Sequence, residues 1–384
     1  MVLIMNKPLY AQIAEHLIQL INAGQYHPND KIPTEMELAE QFGVSRITTK
    51  RALLELENRG YIYRKRGSGS FVKEPSITPA PQVNMNMDSS HTRRHLSIVL
   101  PYVDAGKDLH YFRGVADYIE KQGIMLSLHF TDWRADKERD VLLHLRNYGT
   151  GGIIWYPVNS NNNVDIAHIL HAERHPLVLL DQYYDGLAVP SVVSDNRAGG
   201  YAAAEHLIKQ GHRRIAFVSS ILIEQRSSVR DRFLGYCQAH MDYGIPLHPE
   251  YIVAGFHQEL WAQGKSKFYS GLIQPLINIG VTAIQAEHDY IGLDIIDVAM
   301  ELGMKVPEQL SIIGYDNISI AGTHQVPLTT VNQNCYEIGR KAAELMYSMM
   351  STEQGMSAGE HGVVSIPVQF IERQSTSPVT EHDM

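Results

Sequence analysis

The spacing of apolar positions changes partway along the chain. Over the first seventy residues it is helical: Tyr10, Ile13, Ala14, Leu17, Leu20 and Ile21 fall on one face, and Gly24 stands where that helix would end. Thr34 and Glu37 have capping-box spacing ahead of a short second helix, Glu35 to Phe42, which Gly43 stops. Ser45 caps a third helix running to about Asn58, with Gly60 just beyond. On that helix Thr49, Ala52, Leu53 and Leu56 share the face that should pack inward, while Ile47, Lys50, Arg51 and Leu54 lie opposite. The runs at 61–66 and 70–72 flank Gly67, Ser68 and Gly69, which predicts a two-stranded hairpin.

From Leu96 onward, short continuous apolar runs alternate with amphipathic segments. The runs are 96–100, 125–130, 152–155, 177–180, 215–218, 282–286 and 310–314, and helices are predicted to Gln122 and to Asn147. Buried parallel strands with crossover helices read this way. Nearly 290 residues of this pattern exceed one comfortable core, so two α/β lobes are expected. Between the two patterns, Pro75, Pro79 and Pro81 interrupt an aperiodic polar stretch. The expected organisation is a helix-turn-helix and hairpin unit at 1–73, a linker at 74–95, a two-lobed α/β unit at 96–372 and a frayed tail at 373–384.

Composition sharpens this division. With 44% hydrophobic residues the chain can build real cores, and wholesale disorder is excluded. No run of about 18 apolar residues predicts a membrane span, and Val2 to Met5 is too short for a signal-peptide core. Cys237 and Cys335 make no disulfide framework, so a reducing cytoplasm is the expected compartment. The net charge of −9 is unevenly spread. Residues 1–75 carry ten Lys/Arg against eight Asp/Glu, which leaves −11 on the remainder; residues 41–73 alone reach +6. A small basic module is fused to a large acidic one.

A helix, a tight turn at Gly43-Val44 and a second capped helix form helix-turn-helix geometry. The first residues of a recognition helix reach base edges, which nominates Arg46, Thr48 and Lys50. Ser45 and the helix N-terminus favour a phosphate, and Arg64, Lys65 and Arg66 lead to a glycine tip where backbone can approach a duplex. The segments KIPTEMELAEQFGVSR and RGSGSF, within residues 8–73, resemble the winged-helix domain of the GntR family. The resemblance implies operator contacts for Glu35, Arg46, Thr48, Lys50, Arg66 and Gly67. Met36 stands where some members of that family have Arg, so no base preference carries over.

Two lobes generally bind a ligand in the cleft beyond the carboxyl ends of their strands. The polar residues there are Asp181, Asp195, His288, Asp289 and Asp316. Sugars need carboxylate acceptors, cationic donors and aromatic faces, and Arg230, Tyr111, Phe112 and Trp261 could supply the last two. Asp195 and Asp289 are equally readable as caps of the following helices, and Arg232 reads as a structural or surface arginine. The segments SDNRAGGYAAAEHLIKQGHRRIAFV, VRDRFLGY, GMKVPEQLSIIGYDN and VPLTTVNQ resemble the LacI-type effector domain, which is similar to periplasmic sugar-binding proteins. The resemblance covers about residues 96–350. It implies effector contacts for Tyr111, Phe112, Asp181, Arg230, Trp261, Asp316 and Gln333. His288 stands where that family often has Asn, which changes the hydrogen-bonding set.

Other chemistries find little support. His168, His171 and His175 have helical metal-ligand spacing, but no cysteine or suitably placed acid completes a site. Neither a G-x-S-x-G elbow nor a phosphate-binding glycine loop occurs, so no catalytic residue or cofactor is nominated. The expectation is a sugar-responsive repressor working as a homodimer. This pairing of modules resembles the arabinose-responsive branch of the GntR family, which favours a pentose effector. The rival readings are a GntR-related pyridoxal-phosphate enzyme and a transport-type sugar-binding protein. Sparse lysines after residue 107 speak against the first, and the DNA module and missing signal peptide against the second.

Overall fold

The computed structural model describes residues 10, 13–14, 16–17, 20, 26–27, 29–58, 61–65, 69–72, 95–102, 107–351 and 362–379. Residues 47, 55, 58, 107, 108, 148 and 261 are described by backbone alone. The chain divides into two compact units, 1–87 and 88–384.

In the first unit, Tyr10, Ile13, Ala14, His16, Leu17 and Leu20 are helical. Helix α1 (Glu35–Phe42) begins at the predicted capping box: Thr34 Oγ1 accepts from the Glu37 N–H, and the Glu37 carboxylate accepts from the Thr34 N–H at 2.7 Å. Gly43 ends it in the left-handed region at φ 63°. Helix α2 (Arg46–Asn58) buries Thr49, Ala52, Leu53 and Leu56 and leaves Leu54 half exposed, as its periodicity requires. Strands β1 (Ile62–Lys65) and β2 (Gly69–Val72) pair antiparallel, Ile62 opposite Val72 and Lys65 opposite Gly69. Ile13, Leu17, Ile32, Leu38, Leu53, Leu56, Ile62 and Val72 close a single core. The expectations for Gly24, Gly60, Arg66, Gly67 and the linker lie outside the described residues.

The second unit holds two parallel sheets. In the first lobe, β3 (His95–Leu100), β4 (Met125–Phe130), β5 (Gly152–Trp155), β6 (Leu177–Leu180), β7 (Ser191–Ser194) and β13 (Val363–Ile366) run in the order β13-β7-β6-β5-β3-β4. In the second, β8 (Ile215–Ser219), β9 (Ile252–Ala254), β10 (Ala283–Ala286) and β11 (Ser311–Ile313) run in the order β11-β10-β8-β9. Each sheet is covered on both faces. Ile98 and Leu100 enter one core and Val99 the other; Ala216 and Val218 enter one and Phe217 its counterpart. Doubly covered strands explain the continuous apolar runs in the sequence.

Helices α3 (Lys107–Glu120), α4 (Ala135–Tyr148) and α5 (Val164–Ala172) belong to the first lobe. Helices α6 (Asn196–Lys209), α7 (Ser227–Asp242), α8 (His257–Gln263), α9 (Lys265–Asn278), α10 (Asp289–Glu301) and α11 (Ser319–Thr323) belong to the second. After β12 (Thr330–Asn332) the chain returns through α12 (Cys335–Ser351), which packs along α3, and then β13. It crosses again to β14 (Gln369–Ile371), antiparallel to β12. Helices α6 and α7 cross at Gly200 and Gly235. A Cβ on Gly200 would stand 2.0 Å from the Arg232 carbonyl oxygen, and one on Gly235 2.1 Å from that of Arg197.

Residues 373–379 correct the expectation of a frayed tail. Ser375 is fully buried; its Oγ donates to the Ile312 carbonyl at 2.5 Å and accepts from the Thr329 N–H at 2.8 Å. Arg373 donates to the Leu328 carbonyl at 2.7 Å, and the Val379 N–H to that of Gln210 at 3.0 Å. The segment is held by polar pairing instead of apolar burial, so a hydrophobic pattern does not register it.

Candidate DNA interface and effector cleft

The turn between α1 and α2 orders the front of the recognition helix. Ser45 Oγ accepts from the Thr48 N–H at 3.3 Å and lies 2.9 Å from Thr48 Oγ1. Buried Thr49 donates to the Glu35 carbonyl at 2.8 Å and so fixes α2 against the start of α1. The Glu35 carboxylate lies 3.5 Å from Arg64 and 4.0 Å from Arg46, so it orients two cations instead of facing outward alone. Arg64 also reaches Glu57 at 3.1 Å, tying the hairpin to α2. Arg46 stays 66% exposed in its side chain and Lys50 is exposed. That leaves both heads available to a polyanion. Arg66 and Gly67 lie outside the described residues.

The second unit brings a different set together than the sequence reading nominated. Asp316 and Gln333 meet, the Gln333 amide nitrogen donating to the Asp316 carboxylate. Arg232 joins them, with Nη2 3.7 Å from Asp316 Oδ1. Its other nitrogens donate to Asn196 Oδ1 at 2.9 Å and to the Glu287 carbonyl at 2.6 Å, and its guanidinium lies 3.7 Å over the Tyr315 ring. Arg232 is therefore buried and not a surface arginine. Burial alone would depress its pKa, but Asp316 foremost, with Tyr315, Asp181 and Glu287, raises it, so it stays charged. Asp181, the acidic residue at the end of β6 in the first lobe, contributes to this field from across the cleft.

Backbone strain marks the same places. Asp181 has φ 63° and Asp316 φ 111°, values a non-glycine residue adopts at a cost of about 1–3 kcal/mol when its surroundings dictate it. The Gln333 Oε1 atom is buried without a hydrogen-bond partner, which leaves an acceptor ready for a ligand hydroxyl. A cavity of about 280 Å³ opens against Asp316 and Gln333, with His110, Asn317, Asn334 and Tyr336 also in its wall.

Several nominated residues do other work. The Tyr111 ring is fully buried in the first-lobe core, so it offers no aromatic face; its hydroxyl donates to Asp181 at 2.7 Å. Burial first, then Asp181, raises the Tyr111 pKa and keeps that proton in place. Phe112 is partly buried against the same core. Arg230 is apart from Asp316 and pairs with Asp185 at 2.5 Å. His288 caps α10, Nδ1 accepting from the Ile291 N–H at 3.3 Å, with Nε2 3.5 Å from the Glu287 carboxylate. Asp195 caps α6 through the Ala198 N–H at 3.0 Å. Trp261 lies on α8, and its side chain is outside the described residues.

Asp289 is fully buried with both oxygens committed, to the Thr330 hydroxyl at 2.5 Å and the Ile318 N–H at 2.8 Å. It is a strut for the 315–318 loop. Burial first, then the Asp316 charge, pushes its pKa up to about 7. The folded protein therefore takes up a proton that the unfolded chain, with an ordinary carboxyl near 4, binds more weakly. The stabilisation is complete below about pH 4 and is lost as pH rises to about 7. Denaturant titrations between those limits should show a slope that Asp289→Asn flattens.

Two residues joined to this cluster were not nominated from the sequence. Glu287 is 3% exposed and accepts from Ser219 Oγ at 2.5 Å and the Ser220 N–H at 3.0 Å, joining the ends of β8 and β10. Arg232, expected to be structural or at the surface, is the buried one of the two arginines. The signal was present: Val229, Arg232, Tyr236 and Ala239 form the buried stripe of α7, and Arg230 falls beside it.

Comparisons with known proteins agree with this architecture. Residues 9–72 match the model for bacterial regulatory proteins of the gntR family, and residues 204–376 match a periplasmic binding protein-like domain. An arabinose metabolism transcriptional repressor from Geobacillus stearothermophilus is 30% identical over 97% of this chain and 98% of its own length.

The chain belongs to the GntR family.

A second repressor of the same description, from Halalkalibacterium halodurans, is 26% identical over 96% of each chain. The solved LacI family regulator from Enterococcus faecium with bound ribose superposes at a TM-score of 0.62 and 26% identity, covering 74% of this chain and all of that one. The GntR-family chain is a transcriptional repressor with an operator-binding module and a LacI-type effector module, and not an enzyme. Among the described residues no helix is long and apolar enough to cross a membrane.

If the front of α2 reads bases, Arg46→Ala should lose specific operator protection in a footprinting assay while effector binding persists. Retained footprints would refute the assignment.

Proposed function

We propose that this repressor controls sugar-utilisation genes and is released from its operator by a neutral sugar, with L-arabinose the first candidate. The observation that carries the reading is the Arg232–Asp316–Gln333 group. A buried cation, a carboxylate and an amide with a spare acceptor alternate donor and acceptor, as neighbouring sugar hydroxyls require. The buried carboxylates Asp181, Glu287, Asp289 and Asp316 outnumber the buried guanidinium of Arg232 and disfavour an anionic ligand. The naming of the arabinose repressors with which the chain shares its whole length supports a pentose.

In this reading Asp181, Arg232, Asp316 and Gln333 hold the sugar. Ser45, Arg46, Thr48 and Lys50 meet the operator, and Glu35 orients them. Two copies would present paired readers to a two-fold operator. Linkage then requires that operator and sugar weaken each other by the same factor. Calorimetric titration with L-arabinose, alone and with operator bound, tests this. No heat from arabinose while another sugar binds would remove the pentose claim, and equal affinities with and without operator would remove the linkage.

A further inference from the structure

The two lobes of the sensor meet through a second set of contacts, distinct from the Arg232 group. From the second lobe come Glu224 to Arg226 and the first turn of α7. From the first come the loops around Trp133, Ser160 and Tyr183. Arg230 grips Asp185 through both terminal nitrogens, at 2.5 and 3.1 Å, and also donates to the Tyr183 hydroxyl at 3.1 Å. That hydroxyl donates in turn to the Asp231 carboxylate, 3.0 Å from Oδ2. The Tyr183 N–H donates to Ser227 Oγ at 2.9 Å, and the Ser227 N–H to Ser160 Oγ at 2.8 Å. The Ser160 N–H reaches the Gln225 carbonyl at 2.8 Å. Arg226 lies 4.5 Å from the Trp133 ring centroid, and Asp132 and Trp133 both hold left-handed backbone, φ 52° and 57°, to present that ring.

These contacts exist only while the lobes are together, and none involves Asp316 or Gln333. We propose that they form a clasp that sets effector affinity, with Arg230 acting as a positioning residue through lobe closure and not through contact with the ligand. The proposal rests on the cleft being the sugar site. The apparent affinity of a ligand for a closed form falls with the fraction of molecules that are closed. Contacts made only on closure raise that fraction, and so favour binding without touching the ligand. A lone half-exposed ion pair contributes little. A two-pronged arginine pair braced by Tyr183 and Asp231 contributes more, because each member holds its neighbour's geometry.

The test uses the full chain with Arg230→Ala, Asp185→Ala and the double variant. Without any sugar, hydrogen exchange of the peptides spanning 157–163 and 224–231 should be faster in all three than in the parent, since the Ser160 and Ser227 amides bond across the cleft. Titration with L-arabinose should then show each single variant weakened by about fivefold and the double variant by no more. Unchanged exchange in the variants would overturn the clasp. So would an Arg230→Ala loss of a hundredfold beside an unaffected Asp185→Ala, which would make Arg230 a direct ligand. If the parent binds no arabinose or other sugar, the sugar reading fails, and the exchange comparison alone decides the clasp.

Discussion

Arg232→Met should abolish the response to effector while operator binding survives. The substitution keeps an unbranched side chain of similar length and removes every donor. Asp316 then loses its neighbouring cation, and the Asn196 oxygen and Glu287 carbonyl lose the donors that Arg232 supplies. Stranding a buried charge in this way costs about 3–5 kcal/mol. In the free protein it appears as lower stability of the sensor, and in binding it removes a buried cation that can face a sugar hydroxyl. Calorimetry should report effector affinity weaker by about a hundredfold or more, and release of operator should fail at inducer concentrations that release the parent. Affinity within threefold of the parent would show that the Arg232 group is structural. The outcome separates this residue from Arg230, for which only a modest weakening is expected.

Gly235→Val should strongly destabilise the second lobe. The added Cβ would stand 2.1 Å from the Arg197 carbonyl oxygen and 2.6 Å from the Tyr201 nitrogen. Both obstacles are backbone, so no side-chain rotation relieves them and α6 and α7 must separate. Overpacking of this kind costs about 1–3 kcal/mol and more where the backbone itself has to move. The melting temperature should fall by roughly 5–10 °C. Arg232 lies one turn away on the same helix and would leave Asp316 with it, so effector binding should fail even below the transition. Gly271→Ala supplies the control. Nothing lies within 4 Å of a Cβ there, and α9 should be unharmed or slightly stabilised. Equal melting temperatures for Gly235→Val and the parent would contradict the close helix crossing.

The fold was legible wherever burial dictated residue type. Leu96–Leu100 and Gly152–Trp155 read as strands because both faces of their sheet are covered, and Thr34 and Glu37 announced a helix start that the geometry repeats. The strands β9, β12 and β14 were not legible. Each is three residues long, too short to carry a periodic signature. Asp181, Asp316 and Gln333 could be nominated because they follow strands or cross between lobes. The difference between Arg230 and Arg232 was not legible, because two arginines two residues apart look alike in a linear sequence, whereas a helix turns one toward the core and the other away. Tyr111 was misread for a related reason: a tyrosine can bury its ring and lend only its hydroxyl.

The chain order of the sensor has a consequence during synthesis. The first lobe's sheet is finished by β13, and the second lobe is sealed by Ser375, so each half waits for residues 363–375. The reader's own core, by contrast, is complete at Val72. At about 5–20 residues per second, the interval between those two events is roughly 15–60 seconds. For that time each new chain carries a folded DNA reader to which no sugar can yet speak.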